Sequence, residues 1–428
     1  MPERRRLVVV DPGHFHAALV QKEAVAGLSP RVHVYAPVGL DLADYLTRIA
    51  RFNTRGENPT RWELAVSGGP DYLDRLRGEA PGGVVILSGR NRGKLALIEA
   101  AVAAGLHVLA DKPVIIRRAD LAALEQIAAA AEANGLVLAD MMGGRGEITF
   151  TLARLLRADP EVFGEPVAGS PEAPAVEMTS VHHLMKQVAG VPSPRPAWYF
   201  DVTEQGDTLA DIGTHLVDRI HNTLFPDDVL DYRTDIAIGT VERWPTPVSA
   251  AQFRALTGEA AWPEFLARWT EGDRLDYPCN VRLDYAVRGI HARLNLRWNW
   301  QAEPGGDDTH TSVYHGTSAR LEIRHGAAEG WRPQLYVVPV GDKVGAALDR
   351  RIAALQETHP GIAVERGAHG YRIAIPDALR LGHDAQFAAL TRRFLAAVND
   401  PSTVPRRERP NLIVKSFVCT AAEARRER

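Results

Sequence analysis

The chain has 428 residues, 45% hydrophobic and 24% charged, with a formal net charge of -3. That length fits two domains better than one, and the composition is that of a soluble globular protein. The balanced charge, with no basic cluster longer than a few residues, argues against nucleic acid as a partner. The Arg-rich ends, Arg4-Arg5-Arg6 and Arg425-Arg426, read as solvated tails. Two cysteines, Cys279 and Cys419, make neither a disulfide framework nor a metal cluster and fit a reducing, cytoplasmic setting. The apolar run after the basic start is too short for a signal peptide. No stretch approaches the roughly 18 apolar residues of a membrane span, and no internal repeat is visible.

Residues 7–10 form a continuous β-branched apolar run, the mark of a strand buried on both faces. A Pro-Gly turn follows, then a predicted helix over 14–26. Further strands are predicted over 32–35, 84–87, 107–110 and 136–139, and helices over 92–104 and 120–134, the last stopped by Gly135. Strands alternating with helices predict an α/β, doubly wound parallel sheet over residues 1–143. In such sheets the ligand lies beyond the carboxyl ends of the strands. Asp11-Pro12-Gly13, Ala36-Pro37, Ser88-Gly89-Arg90-Asn91 and Asp111-Lys112-Pro113 should therefore rim one crevice.

The first loop, Asp11-Pro12-Gly13-His14-Phe15-His16, departs from the three-glycine dinucleotide fingerprint. Only Gly13 is in place. One glycine still permits close backbone approach to a pyrophosphate, and a helix start offers free N–H groups; a plain strand-to-helix turn without nucleotide is the alternative. The second strand lacks a terminal acid for a ribose, since Asp41 and Asp44 lie several residues beyond it. NAD and NADP are both open.

Residues 144–428 read as an α+β domain. A strand over 175–181 ends in His182-His183, which period 2 sends to opposite faces. Adjacent strand histidines do not readily share one ion, so no metal is expected. A loop with Pro192, Pro194 and Pro196 leads to Trp198-Tyr199-Phe200. Next comes a predicted helix with Asp211, His215, Asp218 and Asn222 on one face and Leu209, Ile212, Leu216, Ile220 and Leu224 on the other. Gly213 falls on the apolar face, which points to close packing against a neighbour. Mostly antiparallel strands are predicted over 281–285, 291–298, 312–314, 319–323 and 335–338. A helix over 346–355 follows, then a hairpin pairing 362–365 with 371–375, a closing helix over 387–398 and a last strand over 411–417.

Lys112 at a strand end and Asp211 with His215 four residues apart are the candidate catalytic groups. Alone, the lysine reads more readily as a solvated strand cap, and the pair as a surface helix contact worth a few tenths of a kcal/mol. Together, a lysine, an aspartate and a histidine on one pocket can manage a hydroxyl proton while a hydride leaves the same carbon. Arg195, Trp198 and Tyr199 read as core packing or as a sugar-binding rim. No serine sits in a strand–turn–helix elbow.

The run Ala-Gly-Leu-His-Val-Leu-Ala-Asp-Lys-Pro (104–113) and the run Gln-Gly-Asp-Thr-Leu-Ala-Asp-Ile-Gly-Thr-His-Leu-Val-Asp (205–218) resemble the glucose–fructose oxidoreductase, inositol dehydrogenase and rhizopine-catabolism family, Gfo/Idh/MocA. The segment over 11–20 and Asp307-Asp308-Thr309-His310 are similar to its longer branch of oxidoreductases with an extra C-terminal α/β domain. The resemblance implies a Rossmann domain binding NAD or NADP through Gly13, His14, Phe15, His16, Ser88, Gly89, Asn91 and Lys112. It implies next a domain with a predominantly antiparallel, open-faced sheet, an extension over 331–378, and homo-oligomers paired through that sheet. It assigns Lys112, Asp211 and His215 to catalysis, with Asp111 in place of the family glutamate. His183, Lys186, Arg195 and Trp198 become candidates for holding substrate hydroxyls. The expected activity is hydride transfer at a secondary alcohol of a sugar, polyol or glycoside. A redox-neutral glycoside hydrolase with catalytic NAD and a non-catalytic sugar or nucleotide binder are the alternatives.

Overall fold

The computed structural model describes residues 4–188, 191, 192 and 194–425, with the backbone only for 187, 188, 191 and 192. Arg426, part of one expected tail, lies outside them. The chain divides into two compact units. The first holds residues up to Gly144, Thr203–Gln205 and Gly382–Thr420, and the second holds Arg145–Val202, Gly206–Leu381 and the segment from Ala421.

The first unit runs β1 (Arg5–Val10), α1 (His16–Leu19), β2 (Leu28–Ala36), α2 (Leu40–Thr54), β3 (Glu63–Gly68), α3 (Tyr72–Arg77) and β4 (Val84–Leu87). It continues with α4 (Lys94–Ala103), β5 (His107–Ala110), α5 (Leu121–Ala133) and β6 (Leu138–Asp140). All six strands are parallel, in the order β3-β2-β1-β4-β5-β6. Leu7–Val10 and Val84–Leu87 are fully buried, which is why they carry apolar residues without alternation. The strand order reverses between β1 and β4, so the ligand crevice of this architecture opens there.

Two expectations for residues 4–143 fail. The helix over 14–26 is only α1. The Gln21 carbonyl accepts from the Trp62 indole at 2.7 Å and the buried Gln21 side chain accepts from the Tyr45 hydroxyl, so tertiary partners occupy groups a longer helix would use. The N-terminal arginines are not a solvated tail. Arg5 and Arg6 open β1; Arg5 Nε donates to Asn399 Oδ1 at 3.2 Å and Arg6 Nε pairs with Glu79 at 2.9 Å. In the second unit Arg425 likewise donates to the Gly239 carbonyl at 2.7 Å.

The second unit runs α6 (Ile148–Arg157), β7 (Val176–Met185), β8 (Gln187–Val188), β9 (Val191–Pro192), α7 (Thr208–Asp211), α8 (Gly213–Leu224), β10 (Ile236–Ser249), α9 (Ala250–Thr257) and β11 (Thr270–Glu271). Then come β12 (Arg274–Val287), β13 (Ile290–Gln301), β14 (Thr309–His315), β15 (Ala319–His325), β16 (Gln334–Pro339), α10 (Val344–Leu355), β17 (Ala363–Gly367) and β18 (Gly370–Ala374). Its main sheet has the order β10-β12-β13-β7-β14-β15-β16-β18-β17. Every neighbour pair is antiparallel except β13 with β7. The chain then returns to the first unit as α11 (His383–Asn399) and α12 (Glu408–Cys419). Residues 382–420, placed with the second domain on sequence, thus pack in the first unit. The strand expected over 411–417 is helical. Its apolar run is buried all round, from Leu412 to Val414 and at Val418, and periodicity cannot separate a wholly buried helix from a buried strand.

Gly213 behaves as its position predicts. A Cβ there would stand 2.9 Å from Leu209 Cδ1 and 2.9 Å from Leu296 Cδ1 of β13. The expected single helix is however broken. Asp211 ends α7, Ile212 separates the two helices, and His215 lies in the first turn of α8 with its N–H on the Ile212 carbonyl at 3.1 Å. No helix among the described residues is long and apolar enough to cross a membrane.

Candidate functional site

The carboxyl ends of β1, β4 and β5 are tied together by short-range bonds. His14 N–H donates to the Ser88 carbonyl at 2.7 Å, Arg90 N–H to Asp11 Oδ2 at 3.3 Å, and Ser88 Oγ to Asp111 Oδ2 at 2.8 Å. Gly89 is required here, because a Cβ would stand 2.0 Å from the Asp11 carbonyl oxygen. Asp11 itself takes a left-handed φ of 46°. Gly13, His14, Phe15, His16, Ser88 and Gly89 therefore do meet at the strand-order reversal. Asn91 is turned inward instead: its Nδ2 donates to the Gln205 carbonyl at 2.7 Å, and its Oδ1 accepts from Lys94 Nζ.

Lys112 lies two residues past the end of β5, half-buried, and its bond to Pro113 is cis. The carbonyls on either side of it are held by Lys94, whose Nζ donates to Asp111 O at 2.8 Å and Pro113 O at 3.0 Å. Lys94 is 1% exposed. A buried ammonium needs such acceptors, and here they fix the loop that carries Lys112.

A dinucleotide fits this edge. The crevice at the strand reversal is lined by close-packed backbone at Gly89. Phe15, Val38 and Leu40 stand 40%, 80% and 85% exposed at the ends of β1 and β2, apolar surface of the kind that holds an adenosine. No acid ends β2, as the sequence indicates.

The second unit assembles its own group of candidate residues. Tyr199 donates its hydroxyl to Asp211 Oδ2 at 3.1 Å. Burial first, and the Asp211 charge next, push the Tyr199 phenol well above its usual range, so Tyr199 stays a donor. The Arg195 guanidinium lies 4.6 Å from the Tyr199 ring and 4.8 Å from the Trp298 ring, with Nε on the Leu184 carbonyl at 2.9 Å. Trp198 is buried beside Tyr199, their ring centroids 6.5 Å apart. His215 is half-buried and Asp211 buried.

The polar helix face expected from the sequence is not solvated. Asp218 is buried and takes a bidentate pair from Arg145 at 2.6 and 2.7 Å. His182 and His183, although alternate on β7, converge on one carboxylate: Asp308 lies 2.8 Å from His182 Nδ1 and 3.2 Å from His183 Nδ1, and Lys186 pairs with it too. Burial would raise the Asp308 pKa, but His182 and Lys186 hold it well below the usual carboxylate range. Tyr199 as a partner of Asp211, Asp308 as a hub and Lys94 were missed as site residues. Asp308 had a signal, since it sits in the Asp-Asp-Thr-His run that carried the resemblance; Lys94 had none.

A parallel sheet ordered 3-2-1-4-5-6, followed by a large, mostly antiparallel sheet, defines a two-unit α/β protein with a dinucleotide-type first unit. The family described as "Putative oxidoreductase C terminal domain" matches residues 152–426. The chain belongs to this family, the oxidoreductase branch of Gfo/Idh/MocA proteins. It is similar to a putative oxidoreductase from Parabacteroides merdae ATCC 43184, with 39% identity and a TM-score of 0.96 over 99% of this chain and 98% of that one. GenD2 from gentamicin A biosynthesis, solved in complex with NAD, shares the fold at 16% identity and a TM-score of 0.58, with 99% and 95% of the two chains covered. KijD10, a 3-ketoreductase from Actinomadura kijaniata solved with NADP and TDP-benzene, does so at 16% identity and a TM-score of 0.58, with 99% and 98% covered. No curated protein matches the sequence.

Proposed function

We propose that the protein is an NAD(P)-dependent oxidoreductase acting at a secondary alcohol of a sugar, polyol or glycoside. The observation that carries this reading is Lys112 at the carboxyl end of β5, in a loop gripped by Lys94, within a 3-2-1-4-5-6 sheet. NAD bound to GenD2 and NADP bound to the ketoreductase KijD10 support it.

The loop of Gly13, His14, Phe15 and His16, through its backbone, together with Ser88, Gly89 and Lys112, holds the dinucleotide, with Asn91 fixing the β4–α4 turn from behind. The nicotinamide supplies the hydride acceptor or donor. His215 takes the substrate hydroxyl proton when the carbon is oxidised and returns it in the reverse direction, a task for a group near neutral pKa. Asp211, anchored by the Tyr199 hydroxyl, orients His215 and stabilises its cation. Lys112 hydrogen-bonds the reacting oxygen and favours its anionic character. His183, Lys186, Arg195 and Trp198 bind other hydroxyls, and the chain forms homo-oligomers through the second-unit sheet.

The experiment is a pair of variants. Lys112→Ala and His215→Ala each lower kcat by roughly a hundredfold or more, the scale of lost acid–base assistance, and cofactor affinity falls far less for His215→Ala. Near-native turnover in His215→Ala removes the assignment.

A further inference from the structure

The loop that departs from the dinucleotide fingerprint places two imidazoles on one carboxylate. Asp111 Oδ2 lies 2.8 Å from His14 Nδ1 and 3.0 Å from His16 Nδ1, and Oδ1 is also 3.0 Å from His16 Nδ1. One ligand-type atom from each of the three residues lies within 4.8 Å of the others. A ring nitrogen equidistant from both carboxylate oxygens is a poor arrangement for a single N–H···O bond, which prefers one acceptor along its axis. It suits a cation: at metal–ligand distances of ~2.1 Å, atoms 2.8–3.0 Å apart subtend about a right angle at the ion.

We propose that His14, His16 and Asp111 are the protein ligands of a divalent first-row transition-metal ion at the carboxyl edge of the parallel sheet. Two imidazoles and one carboxylate select such ions over magnesium or calcium, which prefer all-oxygen sites. The surroundings are those of a built site. Ser88 Oγ donates to Asp111 Oδ2 at 2.8 Å, the kind of outer hydrogen bond that orients a ligating carboxylate. The Phe387 and His383 rings wall His16 at centroid distances of 4.4 and 5.5 Å, while the His14 side chain is 36% exposed and leaves a route in.

The test uses the untagged full-length chain, stripped with a chelator and titrated with Co2+ alone, without nucleotide. Visible absorption of the bound ion and metal content after gel filtration are the readouts. One ion per chain is expected. His14→Ala and His14→Gln, which alter a partly exposed side chain, should bind at least roughly tenfold more weakly, since loss of a ligand costs no less than loss of an outer-shell partner. Asp111→Asn should do the same where it folds. Uptake far below one ion per chain by the wild type, or equal binding by wild type and both His14 variants, overturns the proposal. With no nucleotide present, that failure is separate from any failure of the dinucleotide reading.

Discussion

Lys94→Met tests how the loop bearing Lys112 is held. Methionine keeps nearly the volume of lysine and removes the ammonium. Three acceptors lose their donor: Asn91 Oδ1, Asp111 O at 2.8 Å and Pro113 O at 3.0 Å. A buried acceptor left without a partner costs ~1–3 kcal/mol, so the gross loss is about 3–9 kcal/mol. The wild type also carries the desolvation of an ammonium that is 1% exposed, a penalty of several kcal/mol that the variant escapes. A net destabilisation of about 2–4 kcal/mol remains. For a unit of this size that lowers Tm by about 5–15 °C, read by thermal unfolding. Because Lys112 lies between the two gripped carbonyls, kcat should fall by roughly tenfold in the folded fraction, the scale of a displaced catalytic group. A Tm within ~1 °C of wild type with unchanged kcat would refute the reasoning, since it would mean the loop holds its shape without these bonds.

Gly213→Ala places a Cβ 2.9 Å from Leu209 Cδ1 and Leu296 Cδ1. The overpacking of ~1–3 kcal/mol equals or exceeds the ~1 kcal/mol helix-propensity gain, so denaturant unfolding should show no net stabilisation. Asp218→Asn breaks the bidentate pair with Arg145; removing one partner of a largely buried pair costs about 2–4 kcal/mol, measurable by the same titration. Asp308 has a depressed folded pKa, so its contribution is fully present above the unfolded value of ~3.9 and fades as pH falls toward the folded one. The Tm gap between wild type and Asp308→Asn should accordingly be fully open just above about pH 4 and shrink in stronger acid; a gap that widens below about pH 4 contradicts the assignment.

The parallel half was legible where its strands are buried on both faces. Leu7–Val10, Val84–Leu87 and Val108–Ala110 are uninterrupted apolar stretches, and the helices between them supply the alternation that fixes the topology. β3 was not legible: it is an edge strand whose residues are half-exposed, so it lacks that run. α2 carries a signal in Leu42, Tyr45 and Ile49, spaced three and four residues apart and buried, which the sequence reading passed over. Where a carbonyl is taken by a distant side chain, as Trp62 takes Gln21, local pattern mispredicts helix length. The candidate site divides the same way. Lys112, Asp211 and His215 stand in recognisable local runs, whereas the Asp111, Asp308 and Lys94 contacts join residues far apart in sequence or buried against expectation, and only the fold reveals them.

The central claim is net hydride transfer, and its most direct measurement is redox balance. The purified protein is incubated with NAD or NADP and a panel of sugars, polyols and glycosides, while reduced nicotinamide, carbonyl product and released aglycone are followed together. The account predicts reduced nicotinamide and a keto product in equal amounts from at least one substrate. Aglycone release without accumulated reduced nicotinamide, or no binding of any nicotinamide form, would contradict it.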